Sequence, residues 1–420
     1  MAKTIEKSPA ALYQEREKRI EDAIALGVPD RVPVIVSFSY FAAKYYGITL
    51  KEAMFDGAKM AAAWEKTITD FQPDAYENPF GTRHVGMLSE IIDYKMMRWP
   101  GHGVGDNVNF QYLDFENLKA DEYDEFLFDP TDFILRKFWP RVFGNLEGVE
   151  NLPPLRMIHS YGGFNSLAGL NTPEMDRVFA TLDKARKQAA INAAASSAYA
   201  RKMEDLGFPA VSGPSSIVPF DLISDQFRGT RGAMVDMYRR PEKLLAAIDK
   251  VLPMILEQAI AAGKKTTCKR VFIPLHKGQE FFMSKEQYAR FYWPGFKALM
   301  VGLIDAGLNP CPFVEGEYTS RLEFLADVPP GKVCYRFENV DFARAKEILK
   351  GHACIEGGMP ISLMCTGTPD EVKERCRKMI DIVGKDGGYI MNAGVGLDDA
   401  KEENIRAMID FTKEYGVYKK

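Results

Sequence analysis

The chain is poor in cysteine and histidine, with six of the first and five of the second in 420 residues. The cysteines (268, 311, 334, 354, 365 and 376) form no Cys-x-x-Cys pair, which removes the familiar zinc-ribbon and dithiol spacings. Met1–Lys7 carries no signal-peptide apolar core, so the thiols read as reduced, mostly core side chains of a cytoplasmic protein. No apolar run reaches the roughly 18 residues that a membrane span requires. A net charge of −4, with no Lys/Arg stripe interleaved with aromatics, argues against a nucleic-acid partner. Lys18-Arg19 and Lys264-Lys265 read as solvated helix positions. Also missing are a Gly-rich phosphate loop after the first strand, a Gly-x-Ser-x-Gly elbow and any recognisable nucleophile–base spacing.

What is present is ordinary for a soluble globular enzyme: 46% hydrophobic and 27% charged residues. The 27 phenylalanines and 19 methionines serve mainly as core, with some available to line an adaptable apolar pocket. An amphipathic helix is expected over 9–27, then a continuously apolar strand, Val34-Ile35-Val36-Ser37-Phe38, of the kind covered on both faces in a parallel sheet. A helix over 50–71 leads to a second strand end at 73–78. Residues 79–158 are irregular and aromatic-rich, and a long Ala-rich helix over 173–206 opens with proline in its first turn. Strands at 208–214, 270–276, 310–315, 333–338, 353–358 and 388–392 then alternate with helices over 241–263, 284–307, 321–326, 342–349, 369–383 and 400–415. Repeated β-α units of this kind imply a parallel sheet, and about eight of them favour an α/β (β/α)8 TIM-like barrel. The expected organisation is an N-terminal helical extension (1–27) and one barrel domain (28–420) with an insertion at 79–206 after the second strand.

Functional side chains of such a barrel lie at the C-terminal strand ends. Read in order, those ends supply Ser37, Ser39 and Tyr40, then Glu77 and Asn78, then Ser212, Ser215 and Ser216. His276 and Lys277 follow, then Glu315 and Glu317, Arg336 and Glu338, Glu356, and Asn392. The most informative stretch is Pro310-Cys311-Pro312-Phe313-Val314-Glu315-Gly316-Glu317. Residues i and i+2 of a strand project to one side, so Glu315 and Glu317 are expected to face the same space. Adjacent like charges raise at least one pKa unless a cation intervenes, which suits acid/base work or metal ligation. His276 ends an apolar strand, where an unpaired imidazole is costly, and is a candidate ligand or proton donor. The other histidines, 84, 102, 159 and 352, fall on loops and read as structural.

At this point the residues resemble a family. Asp30-Arg31-Val32-Pro33-Val34, Gly213-Pro214 before a helix, and Arg239-Arg240-Pro241-Glu242-Lys243-Leu244-Leu245 resemble the uroporphyrinogen decarboxylase superfamily. So do Met283-Ser284-Lys285-Glu286-Gln287-Tyr288 with Tyr292-Trp293-Pro294, then Gly367-Thr368-Pro369-Asp370-Glu371-Val372 and Gly387-Gly388-Tyr389-Ile390. The ordered set spans most of 28–415 apart from the insertion, and implies a (β/α)8 barrel. The true decarboxylases' arginine-bearing segment after the first strand is replaced by Ser37-Phe38-Ser39-Tyr40-Phe41-Ala42-Ala43-Lys44. Their late histidine corresponds to Val395-Gly396, and an octa-acid porphyrinogen would need cations that are not offered.

Phe41-Ala42-Ala43-Lys44-Tyr45-Tyr46-Gly47 is similar instead to the cobalamin-dependent methyltransferase branch. That branch binds zinc through a His-x-Cys and a late Cys. Here the first position reads Glu315-x-Glu317 and the second lies near Val395. The resemblance leaves two alternatives: a replacement zinc set of Glu315 and Glu317 with His276 or Glu338, or no metal and a carboxylic acid that activates the leaving group. It implies a methyltransferase component that moves a methyl group from a small donor to a corrinoid (cobalamin) on a partner protein. Loss of thiolate ligands favours an oxygen donor such as a methoxylated aromatic. Glu315, Glu317 and His276 would be catalytic, and Tyr40, Asn78, Arg336 and Asn392 would contact substrate. The alternatives are a decarboxylase of a smaller carboxylate anchored by Arg336 and Lys277, and a non-catalytic tetrapyrrole or corrinoid binder.

Overall fold

Short β-branched and aromatic runs, each closed by a turn, form a parallel sheet of five strands: Arg270–Leu275, Asn309–Glu317, Cys334–Asn339, Cys354–Gly358 and Tyr389–Asn392, hydrogen-bonded in that order. The computed structural model describes residues 7–419. The two edges of the sheet are joined through three further extended segments. Val34 bridges Met391 in parallel, and Ile35 N–H donates to the Met391 carbonyl. Asp74 N–H donates to the Val34 carbonyl, Tyr76 bridges Ala210, and Ser215 bridges Phe272 of the first sheet strand. The architecture is a TIM-barrel-like α/β fold. The three early segments are held by single bridges rather than by regular ladders, which corrects the expectation of eight like strands. Pro33, Pro73, Pro209 and Pro214 fall within or beside them and remove ladder donors.

The helices follow their local signals. Prolines open Pro9–Ile24, Pro173–Asp205, Pro241–Gly263 and Pro369–Met379, and capping boxes start Leu50–Phe55, Lys285–Gln287 and Pro369–Met379. The helix expected over 50–71 is two, because Asp56 turns extended (φ −114°) and its carboxylate caps Ala58 and Lys59 N–H. The N-terminal extension is a helix over Pro9–Ile24; residues 1–6 of it lie outside the described residues. The insertion contains a small sheet (Met97–Pro100, Gly103–Val104, Gln111–Tyr112) that the irregular pattern did not announce.

The N-terminal helix is pinned to the rest of the chain by buried charge. Arg19 pairs with Asp30 (2.6 Å) and Asp74 (2.7 Å), Arg31 with Asp74 (2.7 Å), and Arg270 with Glu17 (2.8 Å). Asp74 is 1% exposed and also accepts from Val34 N–H at 2.8 Å, so both its oxygens are saturated. Beside this end lie Cys334 and Cys354, packed with Ile20, Ala23 and Ile24. Four cysteines (268, 334, 354, 376) are buried and all six are free thiols. Among the described residues no helix is long and apolar enough to cross a membrane.

Candidate functional site

Along the Asn309–Glu317 strand burial alternates. Pro310, Pro312 and Val314 are buried against helices, whereas Cys311, Phe313 and Glu315 are only half-buried. Phe272 and Pro274 of the neighbouring strand follow the same rule, between buried Val271, Ile273 and Leu275. The face shared by Phe272, Pro274, Phe313 and Glu315 is therefore partly exposed, with Phe272 and Phe313 stacked at 6.3 Å and 23°.

His276 stands just beyond the end of the Arg270–Leu275 strand. Its Nδ1 meets Asp225 Oδ2 at 2.5 Å, while Nε2 faces Glu315 Oε1 across 4.0 Å, too far for a direct hydrogen bond. Asp225 also faces Lys277 Nζ at 3.4 Å. One helical turn earlier, the fully buried Asp221 accepts from His276 N–H (3.0 Å), Lys277 N–H (3.0 Å) and the Tyr292 hydroxyl (2.7 Å), fixing the turn that presents the imidazole. Burial and the Asp225 charge push the Asp221 carboxyl up. Burial opposes charge on His276, but the Asp225 hydrogen bond and the surrounding carboxylates outweigh it and hold its pKa up at about 9. Burial and nearby Glu338 raise the Glu315 carboxyl, with His276 and Arg336 pulling the other way.

A second polar group begins on the next strand, where Arg336 lies in register with Phe313. Arg336 is buried, with its guanidinium 4.4 Å from the Phe313 ring centroid and 5.4 Å from that of Phe272. Its Nη1 donates to Ser37 Oγ at 2.9 Å and lies 3.4 Å from Glu77 Oε1, and Ser37 donates to the same oxygen at 2.5 Å. Glu356, opposite Arg336 in strand register, accepts from Asn392 Nδ2 at 2.5 Å. Burial raises the Glu356 carboxyl against the pull of Arg336. Asn392 is fully buried and its Oδ1 has no protein partner.

Of the expected residues, the strand ends bring His276 and Glu315 together in one group, and Ser37, Glu77, Arg336, Glu356 and Asn392 in a second. Glu317 is not aimed with Glu315. Gly316 adopts φ +78°, the register with the next strand slips between Val314 and Glu317, and the Glu317 carboxylate accepts from Thr319 N–H (3.0 Å) and Thr319 Oγ1. Glu338 is exposed and accepts from Gly316 N–H at 2.7 Å. Tyr40 is core, packed edge-on to Trp64 and Phe110. Asn78 ties the second strand end to Ser196 of the insertion helix (3.1 Å). The tentative zinc set of Glu315, Glu317, His276 and Glu338 therefore does not converge. Among the described residues no three His, Cys, Asp or Glu side chains are grouped to hold a metal ion. Asp221, Asp225 and Tyr292 were not anticipated. The only sequence signal was an Asp pair four apart after Pro219, which puts both on one helix face.

A hollow of about 570 Å³ lies elsewhere, lined by Glu90, Glu174 and Lys184 among others, and includes none of the strand-end residues.

A family model described as uroporphyrinogen decarboxylase (URO-D) matches residues 201–415. The uroporphyrinogen decarboxylase of Chlorobaculum tepidum is 25% identical over 187 residues, covering 42% of this chain and 51% of that protein. That of Chlorobium phaeobacteroides is 26% identical over 190 residues, covering 43% and 52%. The chain thus matches about half the length of these curated relatives. Among solved structures, a methyltransferase from Methanosarcina mazei shares the fold, with a TM-score of 0.60 and 14% identity over 95% of this chain and 98% of that one.

Proposed function

The chain belongs to the uroporphyrinogen decarboxylase family, and from that premise we propose that it is a methyltransferase that demethylates a small methoxylated aromatic, passing the methyl group to a corrinoid protein. The likeness of fold to a methyltransferase supports the reaction class. We read the ring of extended segments as one closed (β/α)8 barrel over 28–420, with the 79–206 insertion beside its mouth. The observation that carries the reading is the pair of acid–base groups, His276 and Glu315, facing each other across 4.0 Å beside partly exposed Phe272 and Phe313.

The carbon–oxygen bond of a methyl ether breaks to leave a phenoxide, a poor leaving group unless it is protonated as it departs. A corrinoid on a partner protein would supply the nucleophile for the methyl group. The residues of this chain supply the proton. Asp225 fixes His276 by Nδ1 and keeps it protonated, so its Nε2–H is presented to an oxygen beside the pair, within reach of both His276 and Glu315. Glu315, half-buried on the next strand and 4.0 Å from His276, is assigned as the second donor at the same oxygen. Phe272 and Phe313 offer the ring a stacking surface. The carboxylate-anchoring role considered for Arg336 and Lys277 fits poorly, since Glu77 already faces Arg336 (3.4 Å) and Asp225 faces Lys277 (3.4 Å). No step is assigned to zinc, because its expected ligands do not converge.

The test is product analysis with the purified protein, a methoxyphenol and a Co(I) corrinoid. Equimolar demethylated phenol and methylated corrinoid are expected. Carbon dioxide release from a carboxylate without corrinoid would favour the decarboxylase reading, and tight corrinoid binding without turnover would favour the binder.

A further inference from the structure

Among the described residues Arg336 is the one guanidinium placed directly against Phe313 and Phe272, at 4.4 Å and 5.4 Å from their ring centroids. In isolation it would be an anion receptor, and a ring stacked on those phenylalanines would carry a carboxylate straight to it. It is not isolated. Glu77 Oε1 lies 3.4 Å from Nη1, and Ser37 donates to that same oxygen at 2.5 Å while accepting from Nη1 at 2.9 Å, which fixes the carboxylate in place. Arg83 stands 3.9 Å from the other Glu77 oxygen. Glu356 stands beside Arg336 on the neighbouring strand. Two acids and two cations thus share this wall, and neither cation is left unmatched. A further carboxylate brought here loses its water and meets Glu77 and Glu356, so its entry is opposed by desolvation and by like charge.

We infer that Glu77 silences Arg336 as an anion receptor, so that the chamber selects uncharged aromatic methyl ethers and rejects those bearing a carboxylate. The inference rests on the methyl-transfer reading for the phrase "methyl ether", but not for the selectivity, which is a matter of binding. Discrimination arises from the repulsive element rather than from an added attraction. Glu77 is therefore the specificity-determining residue, and neutralising it exposes the cation.

The experiment is calorimetric titration of the whole protein with 3-methoxyphenol and with 3-methoxybenzoate at neutral pH, which needs neither corrinoid nor partner. The wild-type protein is expected to bind the phenol about tenfold or more tighter than the benzoate. In Glu77→Gln, benzoate affinity is expected to rise by about tenfold while that for the phenol moves by no more than about threefold. Adding Arg336→Gln to that variant is expected to abolish the gain. Equal or tighter benzoate binding by the wild type overturns the inference without any variant having to fold. So does failure to bind either ring, or an unmoved benzoate affinity in a Glu77→Gln protein whose circular dichroism matches the wild type. Failure of methyl transfer with the predicted selectivity intact would overturn the proposed reaction alone.

Discussion

Two ends of the same sheet bury charge, and they do so differently. At the end covered by the N-terminal helix, Asp74 takes hydrogen bonds from Arg19, Arg31 and the Val34 backbone, and Arg270 is held by both oxygens of Glu17. Every acid there is matched. At the strand-end rim, His276 and Glu315 face each other without a hydrogen bond, and Asn392 Oδ1 has no protein partner. Buried charge alone does not mark a site; a saturated network holds the fold together, and the groups left unmatched are those free to meet a ligand.

Substitutions at the two ends should separate activity from stability. The largest effect is expected at the rim: His276→Gln should slow methyl transfer by about 10²–10⁴-fold, the usual weight of a general acid, measured on the folded fraction. At the base, Asp74→Ala leaves Arg19 and Arg31 facing each other without their shared carboxylate, and should destabilise the protein by about 3–5 kcal/mol in urea unfolding while sparing turnover of the folded fraction.

The contrast sharpens with pH. In the proposed reaction His276 acts as its protonated form and is held up at about 9, so the limb of the rate that depends on it should fall as pH rises through about 9. Asp225→Asn removes the negative charge at Nδ1 and should move that limb down toward the ordinary imidazole value of about 6.5. The same shift bears on stability: the folded pKa lies above the unfolded one, so this ion pair's contribution is complete below about pH 6.5 and is lost as pH rises through about 9. The smallest effect is expected at Glu317, whose carboxylate caps its own turn at Thr319. Glu317→Gln should cost about 1 kcal/mol of stability and leave the rate within about threefold of wild type.

The strand ends were legible because apolar runs closed by polar residues recur along the C-terminal half, and that pattern located His276, Glu315, Arg336, Glu356 and Asn392. Their pairing was not. Glu317 obeys the i, i+2 rule only in an unbroken strand, and Gly316 at φ +78° breaks it. The apolar runs of the early segments have the pattern of full strands, whereas their prolines reduce them to single bridges. Asp221 and Asp225 escaped notice because a helix face is visible in sequence but its neighbour is not, and only packing against the 270–275 strand end gives these carboxylates their partners.

The most direct test of the central claim is single-turnover methyl transfer from 3-methoxyphenol to a Co(I) corrinoid, followed by the corrinoid's absorbance, in wild type and Glu315→Gln. A loss of about 10²-fold or more in Glu315→Gln, with donor affinity retained, is the predicted result. An unchanged rate would contradict the assignment of His276 and Glu315 as the groups that protonate the leaving oxygen.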